Sequence, residues 1–288
     1  MVSHPVNPVI QRRQLATALR DARGRAEKTI VEVAEHLMCS TAKISRMETG
    51  QRPASPRDVR DLCAFYEIDD EERERLIALA RDGRQRGWWE GHNLAPVYST
   101  YVGFEAVAIS IQDYKSSIVP GFLQTNDYAQ AIIRGFFAEP DPLLTDRLAR
   151  TRMERQSLLF DRESPPSIHS IMDEAAMRRV VGSNDIMAEQ LQRLISDTEA
   201  FDLRVQIVPF SAGAHAGVET TFSILSFGDA AVPTAVFAED VFGIMQLDHS
   251  DLVRCEQIFQ HLAKAALPPD ESLAFIKKII REYVNRDS

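Results

Sequence analysis

The chain has 288 residues, 44% of them hydrophobic and 26% charged, with a formal net charge of −9, which allows a sizeable core and two domains. Its longest apolar runs, such as residues 230–238, are too short to span a bilayer, and no amino-terminal stretch resembles a signal peptide, so a membrane protein is not expected. Three scattered cysteines, Cys39, Cys63 and Cys255, argue against a disulfide framework and for a reducing cytoplasm.

Leu15 and Leu19 mark a first helix. Thr29 can cap a second running to about Leu37, with Ile30, Val33, Ala34 and Leu37 facing inward. Met38-Cys39 leaves room for a tight turn, in which Met38 must adopt a left-handed conformation or bend the chain differently. Ser40 then caps a third helix that Gly50 ends, with Ile44 and Met47 inward and Thr41, Ala42, Lys43, Ser45 and Arg46 outward. Val59, Leu62, Cys63 and Tyr66 mark a fourth helix, and Leu76, Ile77 and Ala80 a fifth. A helix, a tight turn and a helix with short polar and basic residues at its start is the pattern of a helix-turn-helix, whose second helix reads base edges in the major groove.

Charge points the same way. Residues 1–60 hold 11 Lys and Arg against 6 Asp and Glu, a balance of +5, so the remainder of this −9 chain carries −14. A basic first module on an acidic body is expected when only that module meets phosphate. Arg12, Arg13, Arg52 and Arg57 flank the motif as candidate phosphate contacts.

From Leu15 to about Tyr66 the pattern resembles the Cro/repressor-type (XRE) family, whose specific signatures include the Ser40-x-x-Lys43-Ile44-Ser45-Arg46-x-Glu48-x-Gly50 run. Two positions depart from it: Ile30 stands where the family often has Gln, and Met38 where it usually has Gly. The residues expected to meet double-stranded DNA are Thr29, Ser40, Thr41, Ala42, Lys43, Ser45, Arg46, Arg52 and Arg57, with Thr41, Lys43 and Arg46 carrying specificity.

The DNA-binding domain is expected over residues 1–82, a linker over 83–93, and a sensing and dimerisation domain over 94–288. The linker is polar and Gly-rich, and its Trp88-Trp89 pair is read as docking it onto the second domain. In that domain 101–117 reads as an amphipathic helix, stopped by Val119-Pro120-Gly121, followed by helices over 126–137 and 143–160. An apolar stretch at 167–172 leads into Asp173-Glu174, whose carboxylates suit the start of a helix. A helix over 185–199, strands at 203–208, 220–227 and 234–238, and helices near 250–265 and 270–284 follow. The fold expected is mainly α with a smaller α+β part: a five-helix repressor-like head, then helices around a small, mostly antiparallel sheet.

The body, too, resembles a known domain. Residues 119–132 (VPGFLQTNDYAQAI), 172–182 (MDEAAMRRVVG), 190–195 (QLQRLI) and 208–217 (VPFSAGAHAG) are similar to an uncharacterised domain that follows an XRE head in actinobacterial regulators. The resemblance implies an antitoxin-like or developmental transcription regulator, often encoded beside a small partner protein.

Asp173, Glu174, His215 and Glu239 fall at predicted strand ends and loops, positions that converge on one rim in many small sheets. They form either an acidic pocket for a cationic or hydroxyl-rich ligand or a basic partner segment, or a set of independent caps and loop anchors. No Gly-x-Ser-x-Gly, phosphate loop or His-Glu-x-x-His run occurs, and the seven histidines lack metal-ligand spacing. No catalytic residue, metal or cofactor is expected. The sequence therefore predicts a cytoplasmic, nucleoid-associated, homodimeric transcription regulator whose larger domain senses a small-molecule effector or a partner protein. The alternative is an antitoxin-like interaction module that sequesters a small neighbouring protein and binds DNA for autoregulation.

Overall fold

A computed structural model describes residues 7–85, 87, 96–137, 139, 141–229, 232–240, 243–247 and 249–285. The chain forms two compact units, one of residues 1–107 with 228–233, the other of 108–227 with 234–288. Trp88 and Trp89 lie outside the described residues.

Side-chain caps set the helix starts of the first unit. Asn7 Oδ1 accepts from the backbone N–H groups of Val9 and Ile10 to open α1 (Pro8–Arg25). Thr29 and Glu32 form a capping box at α2 (Ile30–His36), with the hydroxyl accepting from Glu32 N at 3.2 Å and the carboxylate from Thr29 N at 2.7 Å. Ser40 caps α3 (Thr41–Glu48), Ser55 caps α4 (Pro56–Phe65) and Asp69 caps α5 (Asp70–Asp82). A sixth helix, α6 (Pro96–Glu105), also belongs to this unit. The core gathers one face of each of the first five helices: Leu15 and Leu19, Val33 and Ala34, Ile44 and Met47, Val59 and Leu62, Leu76 and Ile77. Ile30 packs against the edge of this core.

Three of these helices end alike. Glu27, Met38 and Glu67 have φ of 54°, 48° and 56°. In each case the next residue's N–H returns to a carbonyl in the last turn: Lys28 to Arg23 at 3.1 Å, Cys39 to Ala34 at 2.8 Å and Ile68 to Cys63 at 2.9 Å. This is the Schellman closure, for which glycine is the usual left-handed residue. The left-handed conformation expected of Met38 is thus present. Its side chain is 93% exposed and offsets little of the strain. Met38→Gly should therefore raise stability by about 0.5–1 kcal/mol. Urea unfolding of the full chain checks this, and a loss of stability would show that the methionine makes stabilising contacts.

The second unit is built on a six-stranded sheet in the order β3-β2-β1-β4-β5-β6. The strands are β1 (Ser110–Lys115), β2 (Ser167–Asp173), β3 (Leu203–Val208), β4 (Phe222–Ser226), β5 (Ala235–Asp240) and β6 (Gly243–Gln246). β1, β2 and β3 pair in parallel, while β1–β4, β4–β5 and β5–β6 pair antiparallel. Parallel neighbours need crossovers. These are α7 (Asn126–Phe136) with α8 (Pro142–Phe160), then α9 (Glu174–Arg178) with α10 (Asn184–Ala200). α11 (Leu252–Ala265) and α12 (Pro269–Val284) close the unit.

The helix-plus-sheet architecture expected from the sequence is present. Three of the five strand pairings are antiparallel, as expected, and the helical crossovers make the other two parallel. The helix expected over 101–117 is not one element: α6 stops at Glu105, and residues 110–115 form the central strand β1. Asp113 and Lys115 read as the polar face of a helix, yet both are buried. The short edge strand β6 was not anticipated either.

Alternation divides the sheet into two faces. Tyr114, Ile171, Val208, Phe222, Ile224 and Val236 pack with Cys255, Phe259 and Leu262 of α11. Ile111, Asp113, Lys115, Ser170, Met172, Ser223 and Glu239 therefore belong to the opposite face.

Candidate functional site

The outward surface of α3 follows from how its inward side is held. Ser40 Oγ accepts from Lys43 N at 3.2 Å, Ile44 and Met47 are buried, and Gly50 ends the helix at φ 75°. Glu48, one turn beyond Ile44, is buried as well. Its carboxylate takes two hydrogen bonds from Arg23 of α1, at 2.7 and 2.9 Å, and Arg23 also donates to Lys28 O at 3.0 Å. This bidentate pair fixes the end of α3 against α1. The hydrogen bonds that Arg23 donates to Glu48, then the charge of Glu48, outweigh burial and hold the Arg23 guanidinium above its ordinary pKa.

Of the residues expected to meet DNA, Thr29, Ser40, Thr41, Ala42, Ser45, Arg46, Arg52 and Arg57 are all exposed. Arg46 Nε donates to Ala42 O at 3.2 Å within α3, and Arg57 lies 4.0 Å from Asp61 on α4. Lys43 differs from the rest. It is half-buried, and its ammonium lies 3.1 Å from Asp58 Oδ1 in the first turn of α4.

In the second unit Asp173, Glu174 and His215 come together. Asp173 ends β2 and caps α9, with Oδ1 accepting from Ala175 N at 2.7 Å. Its Oδ2 lies 3.2 Å from His215 Nε2, while His215 Nδ1 accepts from Gly217 N at 3.3 Å. With Nδ1 accepting, the neutral imidazole carries its proton on Nε2 and donates it to Asp173. Glu174 accepts from Phe210 N at 2.7 Å through one oxygen and pairs with Arg178 through the other.

These bonds suspend residues 209–220 over the ends of β1 and β2. Gly217 sits directly on Tyr114, where a Cβ would come within 2.4 Å of the ring. Among the described residues the buried Tyr114 hydroxyl has no hydrogen-bond partner. Burial, and secondarily the charge of Asp173, raise its pKa above the usual phenol range. The loop presents Phe210 and Val218 outward, 57% and 58% exposed.

Glu239 is not part of this group. It lies on the opposite face of the sheet, with Oε1 2.6 Å from Lys115 Nζ. Lys115 in turn lies 3.7 Å from Asp113, whose Oδ1 accepts from Ser223 Oγ at 2.6 Å. The expectation of a four-residue rim thus resolves into a loop anchor of three residues and a separate ion-paired cluster. Strand alternation separates them, since Glu239 faces away from α11.

Residues 14–76 match the helix-turn-helix domain family, and residues 98–278 match the family described as a domain of unknown function (DUF5753). The second match covers more than half of the chain. The chain belongs to the DUF5753 family. No curated protein and no solved structure matches it. With its helix-turn-helix head this DUF5753 protein is a DNA-binding regulator. Among its described residues no helix is long and apolar enough to cross a membrane.

Sequence reasoning missed the paired charges of this DUF5753 chain. Glu48 falls four residues after the inward Ile44, a spacing that places it on the buried side and calls for a cationic partner. Asp113 and Lys115 are two apart, so reading that segment as a strand would have put both on one face.

Proposed function

We propose that this DUF5753 protein is a sequence-specific transcriptional regulator. Residues 1–82 read a DNA half-site, and residues 94–288, beyond a linker at 83–93, dimerise and sense a partner or effector. The observation that carries the first part is α3 itself, capped by Ser40, pinned by Ile44, Met47 and Glu48, and exposing Thr41, Ala42, Ser45 and Arg46. Thr29, Arg52 and Arg57 are candidate phosphate contacts around it, with Ser40 at the helix N-terminus. One head grips only part of a helical turn, so two heads on a two-fold site are expected, joined through the acidic second unit as a homodimer. A cytoplasmic, nucleoid-associated location follows from that reading.

Sensing is assigned to the loop 209–220 and its anchors Asp173, Glu174 and His215. Both ring nitrogens of His215 are engaged in holding the loop, which supports an anchoring role over catalysis. Exposed Phe210 and Val218 favour a protein partner over a small ligand, the arrangement that an antitoxin-like regulator would use. Glu239, removed from the loop, contributes to the fold of the second unit.

Selection of bound duplexes from a random pool, with and without cell extract, tests the whole reading. Enrichment of a two-fold repeated site, altered by extract, is expected. His215→Ala should keep the site and lose the extract response. Failure of the intact chain to enrich any sequence would remove the DNA-reading assignment.

A further inference from the structure

The pair between Lys43 and Asp58 changes how the recognition surface works. Lys43 is the third residue of α3, in the turn nearest the expected groove. Its Nζ lies 3.1 Å from Asp58 Oδ1, with the two side chains 21% and 23% exposed. The neighbouring pair Arg57–Asp61 spans 4.0 Å with side chains 88% and 48% exposed, an arrangement of little consequence in water. The first pair is closer and far less hydrated.

Both ends of the Lys43–Asp58 pair are also held in place. Lys43 follows the Ser40 cap and precedes buried Ile44. Asp58 donates its own N–H to Ser55 Oγ at 3.0 Å, and Pro56 fixes φ in the same turn. Burial works against the Asp58 carboxylate, but hydrogen bonds from Lys43 and Ser55 and the charge of Lys43 hold its pKa below the ordinary value. Rigid helices present the Asp58 carboxylate and its lysine partner beside exposed Ser45 and Arg46.

Resting on the assignment of α3 as the DNA reader, we infer that Asp58 is a positioning residue for DNA recognition. It draws the Lys43 ammonium onto α4 and cancels its charge, withholding it from base edges and from random phosphate. Base reading then falls to Thr41, Ala42, Ser45 and Arg46. A flexible, uncompensated lysine in this turn would attract every duplex alike, because phosphate neutralisation carries no sequence information. The carboxylate of Asp58 thus lowers the sequence-independent share of the affinity, without any contact of its own to a base.

The test uses the full chain, a duplex enriched by pool selection and a scrambled duplex, each measured at 50 and 200 mM salt. Asp58→Asn keeps the shape of the side chain and removes its charge. It should tighten binding to the scrambled duplex on the order of fivefold and steepen the salt slope by about one. One more released counterion makes affinity fall about threefold further between those salt concentrations. Lys43→Gln should leave discrimination between the duplexes within about twofold, and the Lys43→Gln/Asp58→Asn double variant, with both charges gone, should return to the wild-type affinity and salt slope on the scrambled duplex.

Unchanged scrambled-duplex affinity and salt slope in Asp58→Asn would overturn the inference. So would a loss of discrimination above about tenfold in Lys43→Gln, which is the signature of a base contact. Equal weakening on both duplexes with a lowered melting temperature would mark the pair as structural and overturn it as well. A wild-type chain that enriches no sequence defeats the underlying assignment. A wild type that discriminates while Asp58→Asn behaves identically defeats this inference alone.

Discussion

Replacing Lys115 by Met will destabilise the second unit by about 3–5 kcal/mol, the usual effect of removing one member of a buried ion pair. The side chain of Lys115 is 6% exposed, and its ammonium lies 2.6 Å from Glu239 and 3.7 Å from Asp113, itself fully buried. Burial alone would favour the neutral amine, yet the charges of Asp113 and Glu239 and the hydrogen bond to Glu239 raise its pKa above the ordinary value. Glu239 shifts the other way. Burial opposes its charge, but Lys115, through charge and hydrogen bond, and then Arg155 and Arg152 hold its pKa below the ordinary value. Methionine fills the space of the lysine stem and leaves the buried Asp113 carboxylate without its cation, while Glu239, 39% exposed, stays hydrated. Urea unfolding followed by amide exchange in β1 and β5 measures the effect. Adding Glu239→Gln should change little further, because the Glu239 side chain is 39% exposed and stays hydrated once the lysine is gone. A cost below about 1 kcal/mol would mean that the ammonium is hydrated in the folded chain.

The same pair sets a pH window. Glu239 has a lowered folded pKa, so its contribution is present above its unfolded value, about 4.3, and fades as pH falls through the folded one. Lys115 has a raised folded pKa. Its contribution is present below about 10.4 and fades as pH rises through the folded value. In Lys115→Met the depression of Glu239 is largely gone, so its acid-dependent loss disappears, and the stability gap between variant and wild type should narrow as pH falls below about 4.3.

How far such features could be read from sequence depended on the range of the interactions behind them. The start and end of α3 were legible because Ser40, Lys43 and Gly50 act through bonds spanning a few residues. Likewise β3 was legible, as a run of strand formers stopped by Pro209. The central strand β1 was not, because the partner that makes Lys115 tolerable inside the sheet lies 124 positions away. Without that partner in view, buried Asp113 and Lys115 imitate the wet face of a helix. The candidate sensing residues divide on the same principle. Asp173 and Glu174 were placed correctly at the head of a helix, a local matter. Whether His215 or Glu239 would join them depended on strand alternation and register, which a single-residue slip reverses. Charge balance identified the basic head, but not which cations pair within it. Arg23 and Lys43 both turn inward to acidic partners.

On the proposed reading those inward pairs leave Arg46 as the long side chain of α3 available to DNA, and Arg46→Ala is expected to weaken binding to the selected duplex by about 1–3 kcal/mol. Arg46 is exposed on α3 beside Thr41, Ala42 and Ser45, whose side chains are short. Its Nε–H is committed to Ala42 O at 3.2 Å, which directs the guanidinium along the helix toward its N-terminal turn. The terminal amino groups carry the remaining donors, and a guanidinium suits guanine O6 and N7 or a phosphate. The two targets give different results. Loss confined to the selected duplex, with the salt slope unchanged, identifies a guanine contact. Equal loss on selected and scrambled duplexes, with the slope reduced by about one, identifies a phosphate contact. Because the side chain is exposed, the melting temperature should hold in either case. A variant that bound both duplexes as tightly as the wild type would remove Arg46 from the interface, and α3 would be left with only short side chains to read DNA.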